Sequence, residues 1–141
     1  MFLLDTNVVS ELRKVASGKA DQNVVRWART TATQDLYISV VTLMEIETGV
    51  LLIERRDAAQ GAVLRNWLET NILRAFADRI LVVDDVVARR CAALHVPHRR
   101  PDRDAFIAAS ALVRGLTVVT RNTSDFIPTG VALINPWTAN G

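Results

Sequence analysis

Apolar residues along the chain fall into two kinds of run. Phe2-Leu3-Leu4, Leu36-Tyr37-Ile38-Ser39, Ile80-Leu81-Val82-Val83, Leu116-Thr117-Val118-Val119 and Val131-Ala132-Leu133-Ile134 are short and mostly apolar. They have the length and composition of buried strands. Between them, apolar residues recur at helical spacing. The first helix starts near Thr6 or Asn7 and ends among Lys14 to Lys19, where Gly18 breaks it. A second covers about 22–31 with Asp21 as its cap, a third about 41–54, and a long fourth 57–76. Asp84 and Asp85 read as the cap and first turn of a helix reaching about His95. Asp102 is the natural N-cap of the next helix, whose apolar body spans 105–113 and whose end is marked by Gly115. Strands joined through helices predict an α/β domain around a parallel sheet of four to five strands.

The helix over 41–54 is apolar nearly all round its axis, which predicts that it is buried. Thr42, Glu45 and Gly49 recur on it at spacings of three and four and share a face, whereas Glu47 points elsewhere. A carboxylate on such a helix needs an arginine, a hydrogen-bond donor or a metal beside it. Together with the apolar stripe on the following helix (Leu64, Trp67, Leu68, Ile72 and Phe76), this segment offers more apolar surface than one small sheet requires. The surplus predicts a symmetric homodimer.

At 141 residues the chain fits one domain, 1–141, with a real core. Half of it is hydrophobic and 23% is charged, which excludes a disordered chain. No apolar stretch approaches the roughly 18 residues of a membrane span, and the N-terminus lacks signal-peptide features, so a cytoplasmic protein is expected. Cys91 is the single cysteine and reads as a small core residue. His95 and His98 straddle Pro97 without further ligands at zinc spacing and read as surface residues. The net charge is +2, yet of seventeen basic residues only Lys14 and Lys19 are lysine. Arginine, whose planar fork binds two phosphate oxygens at once, tilts the reading toward nucleic acid; a GC-rich genome gives the same excess.

Four acids change the picture. Asp5, Glu45, Asp104 and Asp125 each lie just beyond an expected strand or at the start of the helix that follows. A parallel sheet gathers such positions at one edge, where ligands bind in open α/β folds. Carboxylates so close repel one another unless they share protons or bind a cation, and an all-oxygen donor set fits magnesium or manganese. A site of that kind suits phosphate chemistry by metal-activated water. Other α/β phosphate enzymes fit less well. A haloacid-dehalogenase-type phosphatase wants an acid where Asn7 stands, and a response-regulator receiver wants a late lysine that the chain lacks. A non-catalytic nucleic-acid-binding or partner-binding module, its acids serving only in salt bridges, is the alternative from another class.

The motifs Leu4-Asp5-Thr6-Asn7 with Ser10-Glu11, Thr42-x-x-Glu45-x-x-x-Gly49, Asp104-Ala105-x-Ile107-Ala108-Ala109, Thr120-Arg121-Asn122-x-x-Asp125-Phe126 and the closing Asn135-Pro136-Trp137 stand in fixed order. In these the chain resembles the PIN-domain ribonucleases of the VapC toxin type, FitB-like branch, over essentially its whole length. The resemblance implies a three-layer α/β/α sandwich and a magnesium- or manganese-dependent endoribonuclease. It also implies a toxin silenced by a cognate antitoxin, a homodimer, and a larger assembly with the antitoxin on operator DNA. Carried over by position, Asp5, Glu45, Asp104 and Asp125 match the family's acids, and Thr6, Asn7, Thr120 and Asn122 the polar residues supporting them. Asp102 lies two residues before Asp104 and competes with it, but the Ala105-x-Ile107-Ala108 context favours Asp104. Arg99, Arg100, Arg103 and Arg121 flank two of the acids in sequence and are expected to form a basic rim gripping RNA phosphates.

Overall fold

The computed structural model describes residues 1–138. Five strands, β1 (Phe2–Leu4), β2 (Leu36–Ser39), β3 (Ile80–Leu81), β4 (Thr117–Val119) and β5 (Leu133–Ile134), form one sheet in the order β3-β2-β1-β4-β5. All neighbouring pairs are parallel, and β1 is central, with Leu3 opposite Tyr37 on one side and Val118 on the other.

The helices are α1 (Thr6–Leu12), α2 (Gln22–Arg29), α3 (Val40–Arg56), α4 (Ala58–Trp67), α5 (Asp85–Leu94), α6 (Asp102–Arg114) and the single turn α7 (Thr123–Phe126). Side chains alternate across a strand, so neighbours serve opposite faces. Leu4, Ile38 and Val119 pack with Val8, Val9, Trp27, Ile46 and Val50 of α1 to α3. Leu3 and Val118 pack with Ile107, Ala108 and Ala111 of α6 and Phe126 of α7. Outside α6, Val87 and Cys91 of α5 meet Ala105 and Ala109. The result is the expected three-layer sandwich, and Cys91 is the core residue its spacing suggests.

Local chemistry sets the ends of these elements. Asp21 caps α2 by accepting from the Asn23 and Val24 amides, and Asp84 caps α5 by accepting from that of Val87. Gly115 ends α6 at φ 68°, a left-handed conformation that glycine adopts without strain. Where α3 turns into α4, a side chain at Gly61 would lie 2.6 Å from the Glu54 backbone, so the two helices meet only around a glycine.

Four expectations are corrected. First, α3 is not buried all round: Val41, Thr42, Ile46 and Val50 face inward, while Met44, Leu51 and Leu52 are 48%, 55% and 62% exposed. One sheet covers one stripe of a helix, and apolar residues elsewhere stay uncovered in a single chain. Second, the long helix after Asp57 changes winding: beyond Trp67 it continues as a π-helix over Leu68–Arg74. Third, Asp102 is the first residue of α6 rather than its cap, and its carboxylate turns back toward His95 and Arg99, at 3.5 and 3.4 Å. Fourth, His98 lies on the surface but His95 is half-buried in contact with the loop that precedes α6.

Candidate active site

β1 is extended by one residue when the Asp5 amide donates to the Val119 carbonyl at 2.9 Å, which carries the Asp5 side chain to the C-terminal edge of the sheet. Asp5 is only 6% exposed. Its Oδ1 accepts from the Thr6 amide at 2.9 Å and so caps α1; its Oδ2 accepts from the Thr120 hydroxyl at 2.7 Å and from Asn7 Nδ2 at 3.4 Å. Thr120 Oγ1 in turn accepts from the Asn122 amide at 3.0 Å, and Asn7 Oδ1 accepts from the Arg121 amide at 3.4 Å. This web fixes one carboxylate by donors from two neighbouring strand ends. Even so, burial holds the Asp5 carboxyl above the usual range, against those hydrogen bonds and with Glu45 and Asp125 adding repulsion.

Glu45 comes from α3. It has two of the partners anticipated for it: Oε1 accepts from the Thr6 hydroxyl at 3.1 Å, and Oε2 lies 3.4 Å from Arg103 Nη1. Thr42, fully buried one turn earlier, touches the Thr6 hydroxyl at 3.2 Å. Glu47 points away and pairs with Arg65, which also binds Glu54.

Asp104 sits in the first turn of α6, where the helix terminus favours an anion. Desolvation and the charges of Asp5, Asp125 and Glu45 outweigh that preference and push its carboxyl up to about 6.

Asp5, Glu45 and Asp104 line one open pocket of about 600 Å³, together with Thr6, Asn7, Ser10, Asp102, Arg103 and Asn122. Asp125, in α7, is exposed and outside this lining, yet close enough that its charge raises both Asp5 and Asp104. Ser10 joins the pocket wall, a place the motif it belongs to does not assign it. It lies four residues after Thr6 on α1, and that spacing is the signal that could have found it.

The four arginines separate. Arg103 lines the pocket. Arg121 lies beside it through its backbone, while its guanidinium stacks 5.2 Å over the Trp137 ring. Arg99 is exposed and paired with Asp102. Arg100 turns away, donating to the carbonyls of Leu94 at 2.8 Å and Pro128 at 3.4 Å.

Among the described residues no three Asp, Glu, His or Cys side chains converge into a ready-made ion cage. Magnesium does not need one, because it keeps several waters and takes one or two carboxylates directly. The donors here are carboxylates and neutral oxygens without Cys or His, and mutual repulsion is what a cation relieves. The residues therefore fit a hard divalent ion.

The sequence matches the PIN domain over residues 2–127. It is 37% identical to Toxin FitB of Neisseria gonorrhoeae over 97% of this chain and 99% of that protein, and 34% identical to the VapC ribonuclease Y4jK of Sinorhizobium fredii over 97% and 98%. Among solved structures it is similar to FitAcB from Neisseria gonorrhoeae at a TM-score of 0.88 and 37% identity, covering 97% of this chain and 99% of that one. FitAB bound to the IR36 DNA fragment gives 0.88 at 35% identity, covering 98% and 96%. A toxin-antitoxin complex from Klebsiella pneumoniae gives 0.64 at 27%, covering 96% and 98%. With the fold, the acidic pocket and these relatives in agreement, the chain belongs to the PIN-domain family.

Proposed function

We propose that this protein is a magnesium- or manganese-dependent endoribonuclease and the toxin of a type II toxin-antitoxin pair. One observation carries the reading: acids from three separate elements, β1, α3 and α6, line a single open pocket where Asp104 is pushed up to about 6 by burial and its acidic neighbours. A protein keeps such a repulsive set where a cation is to be held.

Asp5, Glu45 and Asp104, with Asp125 at the margin, are the residues that would hold the ion. Bound there, it supplies Lewis-acid polarisation of the phosphoryl oxygen and a water acidic enough to attack at neutral pH. The chain's own part is preorganisation. Thr120, Asn7 and the Thr6 amide keep the Asp5 carboxylate in one orientation, and the Thr6 hydroxyl does the same for Glu45. Arg103 brings the positive charge on the pocket wall, positioned to take an RNA phosphate once it leaves Glu45. Arg121 flanks the pocket at the β4 end. Arg99, exposed and paired only with Asp102 at the pocket wall, stays available to the rim on the same terms as Arg103, whereas the Arg100 guanidinium is held by the carbonyls of Leu94 and Pro128.

A groove beside the pocket supports the reading that an inhibitory partner reaches the acids. Mainly apolar, it is lined by Ile46, Gly49, Val50, Leu52, Ile53 and Trp67, with Arg13 and Arg56 also in its wall, and shares Thr6, Ser10 and Glu45 with the acidic pocket. Gly49 keeps it clear: no atom within 4 Å would oppose a side chain there, so packing does not require the glycine. An antitoxin segment in this groove reaches the acids directly, and a lysine or arginine on it neutralises them. The FitAB complex on DNA supports a toxin-antitoxin assembly that binds operator DNA. The exposed apolar residues of α3 support a homodimer. No helix among the described residues is long and apolar enough to cross a membrane.

The reading is tested by incubating purified protein with total RNA, with and without manganese, and mapping the ends. Manganese-dependent cleavage at defined sites is expected; intact RNA under all conditions contradicts it.

A further inference from the structure

The seven residues between α5 and α6 are closed on themselves by two reciprocal contacts. His95 Nδ1 accepts from the Arg100 amide at 3.1 Å, and the Arg100 guanidinium reaches back to the Leu94 carbonyl at 2.8 Å. A third contact runs from Arg100 to the Pro128 carbonyl at 3.4 Å, across to the segment after α7. Because Nδ1 is an acceptor here, the neutral ring carries its proton on Nε2. That nitrogen faces Asp102 Oδ1 at 3.5 Å and Cys91 Sγ at 3.9 Å. The imidazole thus touches the end of α5, the loop and the first residue of α6 at once.

This matters for the site because α6 begins at Asp102, and its next two residues, Arg103 and Asp104, line the acidic pocket. Pro101 offers no side-chain cap, so the direction of the helix start has to be set from the preceding loop. We infer that His95 and Arg100 form a clasp that positions the first turn of α6, and thereby fixes where Asp104 and Arg103 stand against Asp5 and Glu45. Both are positioning residues; neither lines the pocket. The inference rests on the nuclease reading for its consequence, not for its geometry.

The clasp separates cleanly by substitution. Asparagine at 95 places an amide oxygen where Nδ1 stands and keeps the acceptor for the Arg100 amide. Glutamine reaches only the Nε2 position, and alanine reaches neither. Hydrogen exchange on the metal-free protein reads the first turn of α6 directly, through the Ala105 amide that donates to the Pro101 carbonyl at 3.0 Å. Expected for His95→Gln and His95→Ala is exchange at Ala105 about tenfold faster than in the native protein, with the sheet amides unchanged. His95→Asn restores native protection.

Cleavage of an RNA oligonucleotide, cut from a site mapped on total RNA, gives the second readout. At saturating manganese, His95→Gln should lose about tenfold or more in kcat with KM little changed, as misplacement of a reacting group does. His95→Asn should recover it, and Arg100→Ala should behave as His95→Gln. Native exchange at Ala105 in His95→Gln, or His95→Asn as fast-exchanging as His95→Gln, overturns the inference. If the native protein itself fails to cut RNA, the nuclease reading falls while the exchange experiment still decides the clasp.

Discussion

The Thr120 hydroxyl donates to Asp5 Oδ2 at 2.7 Å, joining the residue that follows β4 to the residue that follows β1. Both are buried, and the bond crosses the centre of the sheet edge where the pocket opens. A hydrogen bond to a charged group contributes about 1.5–3 kcal/mol, more than a neutral one. Thr120→Val keeps the shape and removes the donor. The variant should lose about 1–2 kcal/mol of apo stability at pH 7 in urea titrations, and the acid limb of its pH-activity profile should move up as the Asp5 carboxylate becomes harder to form.

Replacing Asp5, Glu45, Asp104 or Asp125 by its amide should lower cleavage by about a hundredfold or more, the cost of a lost metal ligand. Asp102→Asn should cost little, since its carboxylate faces His95 and Arg99. Single-turnover cleavage of the five variants ranks them. Loss of activity in Asp102→Asn with Asp104→Asn unaffected reverses the assignment.

The Asp104 carboxyl gives a pH signature in the absence of metal. Its value in the folded protein, about 6, lies above the ordinary 3.8, so the folded state holds the proton more tightly than the unfolded chain. That proton favours folding fully below pH 3.8, and its contribution disappears as the pH rises through about 6. The native protein should therefore lose stability relative to Asp104→Asn between those two values. Manganese binds the ionised form, so adding it at pH 7 should raise the native Tm and leave that of Asp104→Asn nearly unchanged. Differential scanning calorimetry across the window, with and without manganese, checks both signs.

The uncovered apolar residues predict assembly. Met44, Leu51 and Leu52 of α3 are about half exposed or more, and Val63 of α4 is 62% exposed. Light scattering at micromolar concentration without antitoxin should give a dimer, and Leu51→Glu should shift it to monomer by burying a charge at the interface. A monomeric native protein contradicts this.

The fold was largely legible because its signals are local. The runs at Leu3-Leu4 and Val118-Val119 are short enough to be strands, and Asp21, Gly18 and Gly115 mark helix ends by chemistry that acts within a few residues. What stayed hidden depends on which way each side chain turns once the chain is packed. No pattern within 41–54 says that Met44 and Leu51 face outward while Ile46 faces the sheet. Asp102 reads as a cap until His95 and Arg99 are seen beside it. The same holds for Arg100, adjacent to the acids in sequence but drawn away by the carbonyls of Leu94 and Pro128. The proximity of Asp5 and Glu45 was foreseeable from topology, since each follows a strand of a parallel sheet; Asp104 opens the second helix after β3, and its place in the same pocket depends on how α6 packs.

The central claim is that the acidic pocket cuts RNA with a divalent ion. The most direct measurement is cleavage of total RNA by the native protein and by Asp5→Asn, each with manganese and with a chelator. Defined fragments from the native protein with manganese alone, and from no other combination, are the predicted result. Fragments that persist with the chelator, or that Asp5→Asn produces equally, would contradict it.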